Sequence, residues 1–417
     1  MPSQESYNDA LLQVIKEVVA PAAAAVDASG QFPREQVSAL GAAGLLALTV
    51  PAGFGGGGAG LRQAADVIRE LGSVCGSTAM IVTMHYAAVA ALTAAGDKDT
   101  LTAIAGGTHL STLAFSEQGS RSHFWAPVSS AAHAGGGSAG DGPAGDGPAG
   151  DGPAGAGSAG AGAVDGGTGA DGPLVRLDAA KSWVTSAGEA DSYVWSSRPV
   201  AADAAGPMTL WLVPAGAAGL TVAGVFDGLG LRGNSSAPMA ADGVTVPAAA
   251  MLGADGAGLD LALAAVLPVF LVCSAAMSAG LMRRLADETA AHLKQTRLEH
   301  LGVTLAQQAG PRAQLARLRI EADRTWAHVS ETVSAVESGR DDAMLLVLEV
   351  KAAAGEAAAD AADLALRAGG GAAFRKESVV ERLFRDSRAA RVMAPTTDAL
   401  QDFIGRALLG LPLLGEV

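Results

Sequence analysis

Between His109 and Pro127 the sequence HLSTLAFSEQGSRSHFWAP gathers several chemically useful groups. Hydroxyls stand at Ser116 and Ser122, a guanidinium at Arg121 and rings at Phe115, Phe124 and Trp125, around a turn of backbone N–H groups from Ser116 to Ser120. Donors of that kind can face the electron-rich edge of a planar cofactor, a cation and a second hydroxyl suit its phosphates, and aromatic rings wall its plane. Two more stretches carry related groups. KSWVTSAGEADSYVW, Lys181–Trp195, places Trp183, Thr185 and Ser186 where a strand ends. GLGLRGNSSAPM, Gly228–Met239, reads as a polar turn. Taken singly each has a plainer reading, Ser116 and Thr185 as turn caps and Trp183 as core.

Other chemistries find little support. The glycine run VPAGFGGGGAG lacks the Lys-Ser/Thr of a phosphate loop and reads as a flexible loop. The seven histidines and two cysteines show no HxxxH or CxxC spacing, so no metal site is expected. No GxSxG elbow and no GxGxxG after a strand occurs. Asn234-Ser-Ser fits a glycosylation sequon, set aside because no secretory signal is evident. Cys75 and Cys273 lie in apolar runs and read as buried thiols in a reducing compartment.

The elements that must position these residues follow from composition and pattern. A chain of 417 residues allows two or three domains around a large core. A net charge of −14 with no basic cluster argues against nucleic acid or an anionic membrane as partner. The N-terminus has no basic region before an apolar stretch, so no signal peptide is read and a cytoplasmic location is expected. Leu71–Gly96 and Leu261–Met282 lack charge over membrane-spanning lengths, but their Ser, Thr, Gly, His85 and Pro268 favour buried core helices. Helices are expected over 6–27, 34–45 and, as two, 61–95; Leu11, Val14, Ile15 and Val18 share one face of the first. Short β-branched and aromatic segments at 111–116, 174–185, 192–197, 208–214, 219–226 and 239–246 predict an antiparallel barrel or sandwich. Residues 135–172, almost all Gly, Ala, Asp, Ser and Pro with GDGPA three times in succession, read as a disordered insertion between two strands. Helices return over 258–295, 303–338, 341–368, 376–393 and 397–409, with the Ala-rich faces of a four-helix bundle. The fold class is therefore α+β, with an N-terminal all-α domain (1–108), a middle antiparallel β-barrel or sandwich domain (109–254) and a C-terminal helical bundle (255–417).

Together the stretches resemble the acyl-CoA dehydrogenase family of flavoproteins, over nearly the whole chain apart from the insertion. LAFSEQGSRS looks like the family's T-E-P-G-x-G-S-D turn and KSWVTSAGEAD like its G-x-K-x-W-I-T-N-G segment. GLRGNSSAPM looks like its G-x-R-x-S-x-T turn, and RAGGGAAFRKESVVERLFRD resembles its Gly-Gly segment and R-D block. The resemblance implies FAD as cofactor, an acyl-CoA as substrate, a separate electron acceptor and a homotetramer or homodimer. It places Ser116, next to Phe115, at the flavin's N1–C2=O edge and Ser122 at the pyrophosphate. It places Trp183 and Thr185 along the isoalloxazine and Thr396 near the cofactor, and it brings Arg297 from a neighbouring subunit. Arg297 lies in RLEHLG, one residue longer than the family's Arg-x-x-Phe-Gly, and Arg367 stands where a glutamine is usual.

Where the family places its catalytic Glu, this chain has Ala394 in MAPT; at the alternative position it has Phe270 in VLPVFLVC. Where the family usually has an Asp-x-x-Arg anchor for CoA, this chain has the apolar Pro268 and Leu271. Two other residues come forward as catalytic. Asp398 lies four residues beyond Ala394, where it also reads as a first-turn helix residue. His85 falls on a helix that packs near the flavin in the family, where it also reads as a core histidine. Monooxygenases similar to this family lack the Glu as well, so a flavin-dependent monooxygenase served by a flavin reductase is the alternative. A binding scaffold with weakened catalysis is a third reading.

Overall fold

The computed structural model describes residues 4–120, 123–134 and 172–414. The predicted insertion at 135–172 lies outside the described residues but for Gly172.

The chain begins as one rod made of α1 (Gln4–Val14), a π-turn (Ile15–Val19) and α2 (Ala20–Ser29). A π-turn takes one residue more than an α-turn, which moves the inward face from the predicted Val18 to Val19, fully buried. The helices α3 (Arg34–Ala42), α4 (Leu61–Gly72) and α5 (Gly76–Ala95) follow. The next, α6 (Lys98–Ala105), was missed by the periodicity, although Asp97 caps it by accepting from the Thr100 amide at 2.9 Å. Among the described residues, the helices long and apolar enough to cross a membrane are Gly76–Ala95 and Gly258–Gln295, of whose most apolar windows 72% and 61% are buried inside the chain.

Among the described residues the strands of the middle region make two sheets and no closed barrel. One is β1 (Ser111–Ala114), β4 (Ser192–Ser197) and β5 (Thr209–Pro214), in the order β1-β4-β5. The other is β2 (Ser130–His133), β3 (Leu174–Val184), β7 (Ala237–Pro247) and β6 (Leu220–Val222), in the order β2-β3-β7-β6. The expected all-antiparallel pattern fails at one place: β1 and β4 are parallel, Ser111 facing Ser192 and Ala114 facing Trp195. The chain leaves β1 to build β2 and β3 before it returns as β4, and a crossover of that length permits parallel pairing. Trp195 and Trp211 stand opposite each other on β4 and β5, both fully buried.

The C-terminal helices are α7 (Gly258–Leu261), a second π-turn (Ala262–Val266), α8 (Leu267–Gln295), α9 (Ala309–Ser338) and α10 (Ala343–Ala373). A two-stranded pair, β8 (Arg297–Leu298) and β9 (Val303–Thr304), links α8 to α9, so the helix predicted from 303 starts later. The predicted helix 376–393 is broken at Arg388 into α11 (Val379–Ser387) and α12 (Ala389–Val392), and α13 (Thr397–Leu408) closes the chain. At Gly280 the helix α8 nearly touches α4: a Cβ there would lie 2.0 Å from the Arg69 carbonyl oxygen.

Candidate active site

The two polar stretches meet edge to edge. Beyond the end of β1 the chain runs beside β3: the Ser116 carbonyl accepts from the Ser182 amide and the Gln118 amide donates to the Ala180 carbonyl, both at 3.0 Å. The turn's amides are thus partly committed within the protein, since that of Ser120 also donates, to the Glu117 carbonyl at 3.4 Å. An antiparallel bridge sets Glu117 opposite Lys181, and both side chains are buried. The Lys181 ammonium donates to Glu117 Oε1 at 2.5 Å and to the carbonyl and Oγ of Ser196 at 2.7 and 2.9 Å, and it lies 5.2 Å from the Trp195 ring centre. Glu117 also accepts from the amides of Val128 and Ser129, at 2.5 and 3.0 Å, and from the Ser129 hydroxyl. Burial alone would raise the Glu117 pKa. The charge and hydrogen bond of Lys181, with those of Ser129 and Val128, outweigh it and hold the carboxyl below its usual range.

A register shift between Lys181 and Val184 then turns the strand, so that Trp183 is 65% exposed where Lys181 is fully buried. Ser116 and Trp183 flank one cleft that opens to solvent. Its β-side wall continues through Leu113, Phe115 and Phe124; its helical wall is Met84 of α5, Ala262 and Val266 of the π-turn, and Leu267 and Phe270 of α8. Ala394 and Pro395, from the loop before α13, complete it. Phe124 leads to Trp125, which meets Phe403 of α13 edge-on at 5.2 Å and so ties the turn to the last helix.

The remaining expected residues divide. Thr185 is buried beside the cleft, its hydroxyl 3.1 Å from that of Ser236. Thr396 follows the Ala394–Pro395 wall and caps α13 by accepting from the Ala399 amide. Asp398 is exposed in the first turn of α13 and does not line the cleft. His85 is fully buried and also away from the cleft lining, one ring nitrogen 3.0 Å from the Leu46 carbonyl and the other at Ser111, 3.1 Å from its amide and 3.2 Å from its carbonyl. Burial pulls its pKa down to about 4, so the imidazole is neutral at pH 7. Arg297 sits past the far end of α8, 27 residues beyond Phe270, which at the helical rise is roughly 40 Å away. One chain therefore does not bring Arg297 to this cleft. Ser122 lies outside the described residues.

Sequence reasoning missed Glu117 and Lys181 as a pair, though it quoted both motifs. It also missed Lys351 of α10, whose ammonium donates to the carbonyls of Ala390, Met393 and Pro395 at 3.1, 3.0 and 2.7 Å. The signal was there: Lys351 continues the buried stripe Val347, Leu348, Ala354, Ala358, where a lysine requires partners.

The residues fit a flavin. The Trp183 indole stands exposed at the cleft, touched by the Phe226 ring edge with centroids 6.5 Å apart, and offers a free aromatic face. Ser116 lines the cleft, and among the described residues its hydroxyl has no protein partner. A mostly apolar cleft with one hydroxyl and one exposed indole, held between a β-layer and a helical bundle, has the shape and chemistry to seat a planar cofactor.

Comparison with known proteins supplies the family. Residues 1–102 match the acyl-CoA dehydrogenase N-terminal domain and residues 256–409 the acyl-CoA dehydrogenase C-terminal domain. The probable acyl-CoA dehydrogenase YngJ of Bacillus subtilis is 25% identical over 416 residues, spanning 97% of this chain and 98% of the relative. The human mitochondrial short-chain specific acyl-CoA dehydrogenase is 26% identical over 399 residues, 93% of this chain and 86% of the relative. Butyryl-CoA dehydrogenase from Megasphaera elsdenii has the same fold, with a TM-score of 0.83 at 18% identity over 98% of this chain and 99% of that one. The chain belongs to the acyl-CoA dehydrogenase family and is an FAD-dependent oxidoreductase of that type. These likenesses do not favour the monooxygenase alternative.

Proposed function

We propose that this chain oxidises the acyl part of an acyl-CoA, or of a closely related thioester, with FAD and substrate sharing the cleft between Ser116 and Ala394. The observation that carries the reading is the joining of two sets of residues in one cavity. Ser116 and Trp183 come from the stretches that resemble flavin-binding segments, Phe270 and Ala394 from positions where the resemblance puts the family's acid–base carboxylate, and all four line one cleft. FAD, when bound, accepts a hydride from the substrate carbon chain. Phe115, Trp183 and Thr185 would hold its ring system, and the Ser116 hydroxyl would donate to its electron-rich edge, where negative charge grows on reduction. Ser122, Thr396 and the Arg297 of a neighbouring subunit complete the cofactor site in a homotetramer or homodimer. Leu113, Phe124, Val266, Leu267 and Phe270 exclude water, which strengthens every polar interaction left inside. None of the cleft-lining side chains is a carboxylate or an imidazole, so removal of the α-proton is assigned to none of them. The electrons pass on to a separate acceptor. A cytoplasmic place in fatty acid metabolism suits an acidic chain with buried free thiols at Cys75 and Cys273.

The test is anaerobic mixing of the purified, FAD-loaded protein with a panel of acyl-CoAs. Bleaching of the flavin absorbance by at least one of them is expected. Purification without flavin, together with no uptake of added FAD, overturns the reading.

A further inference from the structure

Helix α12 is four residues long, and its end carries the backbone straight into the Ala394–Pro395 wall of the cleft. The last carbonyls of a helix have no partner within it, and a cation placed there satisfies both their hydrogen bonding and the negative end of the helix dipole. Lys351 supplies that cation from another helix. Its side chain is 1% exposed, and its three donors meet three carbonyls, those of Ala390, Met393 and Pro395. Two of these flank Ala394 on either side. A lysine stem long enough to reach water normally does so; this one turns inward, and the acceptors that compensate its burial are backbone oxygens of the cleft wall.

We propose that Lys351 is a positioning residue of the active site, its ammonium clamping the Met393–Pro395 backbone so that Ala394 and Pro395 present a fixed wall to the substrate.

The rest of α12 does not depend on this clamp. Arg391 pairs with Glu356 at 2.6 Å and with Asp360 at 3.3 Å, and Arg388 pairs with Asp363 at 2.8 Å. Gly355 of α10 leaves room for Ala390, whose Cβ would lie 3.4 Å from a Cβ built on the glycine. Removing the ammonium costs α12 its one bond at the Ala390 carbonyl but leaves the Arg391 and Arg388 pairs to hold α12 on α10, while the loop beyond loses both of its carbonyl contacts. The role deepens the function proposed above and rests on it for its meaning, but the clamp can be measured independently.

The experiment compares the full-length holoprotein with Lys351→Met, which keeps most of the stem and removes the charge. Amide hydrogen exchange is read over residues 393–397 and, as internal control, over α11. Faster exchange in the loop alone is expected, with FAD retained and the affinity for a bound acyl-CoA, read from the perturbed flavin spectrum, weakened about tenfold. Lys351→Gln keeps a donor to a carbonyl and is expected to fall between; it serves as the test if the methionine variant does not fold. Arg391→Ala, which loosens only the outer face of α12, is expected to leave ligand affinity unchanged. Unchanged loop exchange and unchanged affinity in a folded Lys351 variant overturn the proposal. If the wild-type protein takes up no FAD, the functional reading fails, and the exchange data still decide the clamp.

Discussion

Lys181 and Glu117 form an ion pair at 2.5 Å with 0% and 1% of their side chains exposed. The residue before Glu117 is Ser116, and two residues after Lys181 comes Trp183. The pair thus ties together the two stretches that carry Ser116 and Trp183 on the β-side of the cleft. Losing one partner of a buried pair strands the other charge, at about 3–5 kcal/mol. Lys181→Met is expected to lower stability by that order in urea unfolding and to release FAD. Full retention of both contradicts the joining role.

The same pair sets a pH dependence. Glu117 titrates below its unfolded value of 4.5, so its contribution is complete above that pH and is lost as pH falls through the lower folded value. Between pH 5 and pH 3 the wild type is expected to lose more stability than Lys181→Met/Glu117→Gln. Parallel stability curves for the two proteins contradict the assignment.

Ser116 and Trp183 are expected to act on FAD by different means. Ser116→Ala removes one hydrogen bond, about 1 kcal/mol, or roughly fivefold in FAD affinity. Trp183→Ala removes an aromatic face and is expected to weaken binding about tenfold. FAD titration by fluorescence reads both, and affinities unchanged in both variants contradict the assigned site.

Ala394→Glu returns a carboxylate to the cleft. Burial among Phe270, Leu267 and Pro395 is expected to raise the pKa of the new group and make it a stronger base near neutrality. General-base catalysis of this kind is worth roughly 10²-fold or more. Faster anaerobic bleaching by an acyl-CoA in Ala394→Glu, but not in Ala394→Gln, is the expected outcome. Equal rates in the two variants remove Ala394 from the reacting end of the cleft.

Lys351 gives a second pH signature. Burial draws its pKa from 10.5 down to about 7, so the clamp is an ammonium with three donors below that pH and a neutral amine with two donors for three carbonyls above it. A base with a depressed folded pKa stabilises the fold most above its unfolded value and loses that contribution as pH falls towards the folded one. From pH 7 to pH 10 the stability of the wild type relative to Lys351→Met is expected to rise by up to about 1.4 kcal/mol per pH unit. A flat difference across that range contradicts the shift.

The sequence carried the order helices, strands, helices because the hydrophobic period changes from 3.6 to 2 and back, and it pointed to Ser116 and Trp183 through their mixed polar and aromatic surroundings. It did not carry the pairing of β1 with β4, which depends on where the chain returns after forming the second sheet. The π-turn at Ile15–Val19 escaped as well, since a single extra residue leaves the apolar count of the helix unchanged. Lys181 lies inside a recognisable stretch and Lys351 inside an Ala-rich helix, and neither sequence context names a partner. Their roles appear only when Glu117 and the Met393–Pro395 carbonyls, distant in sequence, come within hydrogen-bond reach.

The most direct measurement follows the flavin absorbance of the FAD-loaded protein as acyl-CoAs of graded chain length are mixed in without oxygen. Bleaching by one or more of them, lost or slowed in Ser116→Ala and Trp183→Ala, is the expected result. A flavin that stays oxidised with every thioester, in a protein that holds FAD equally well after both substitutions, contradicts the account.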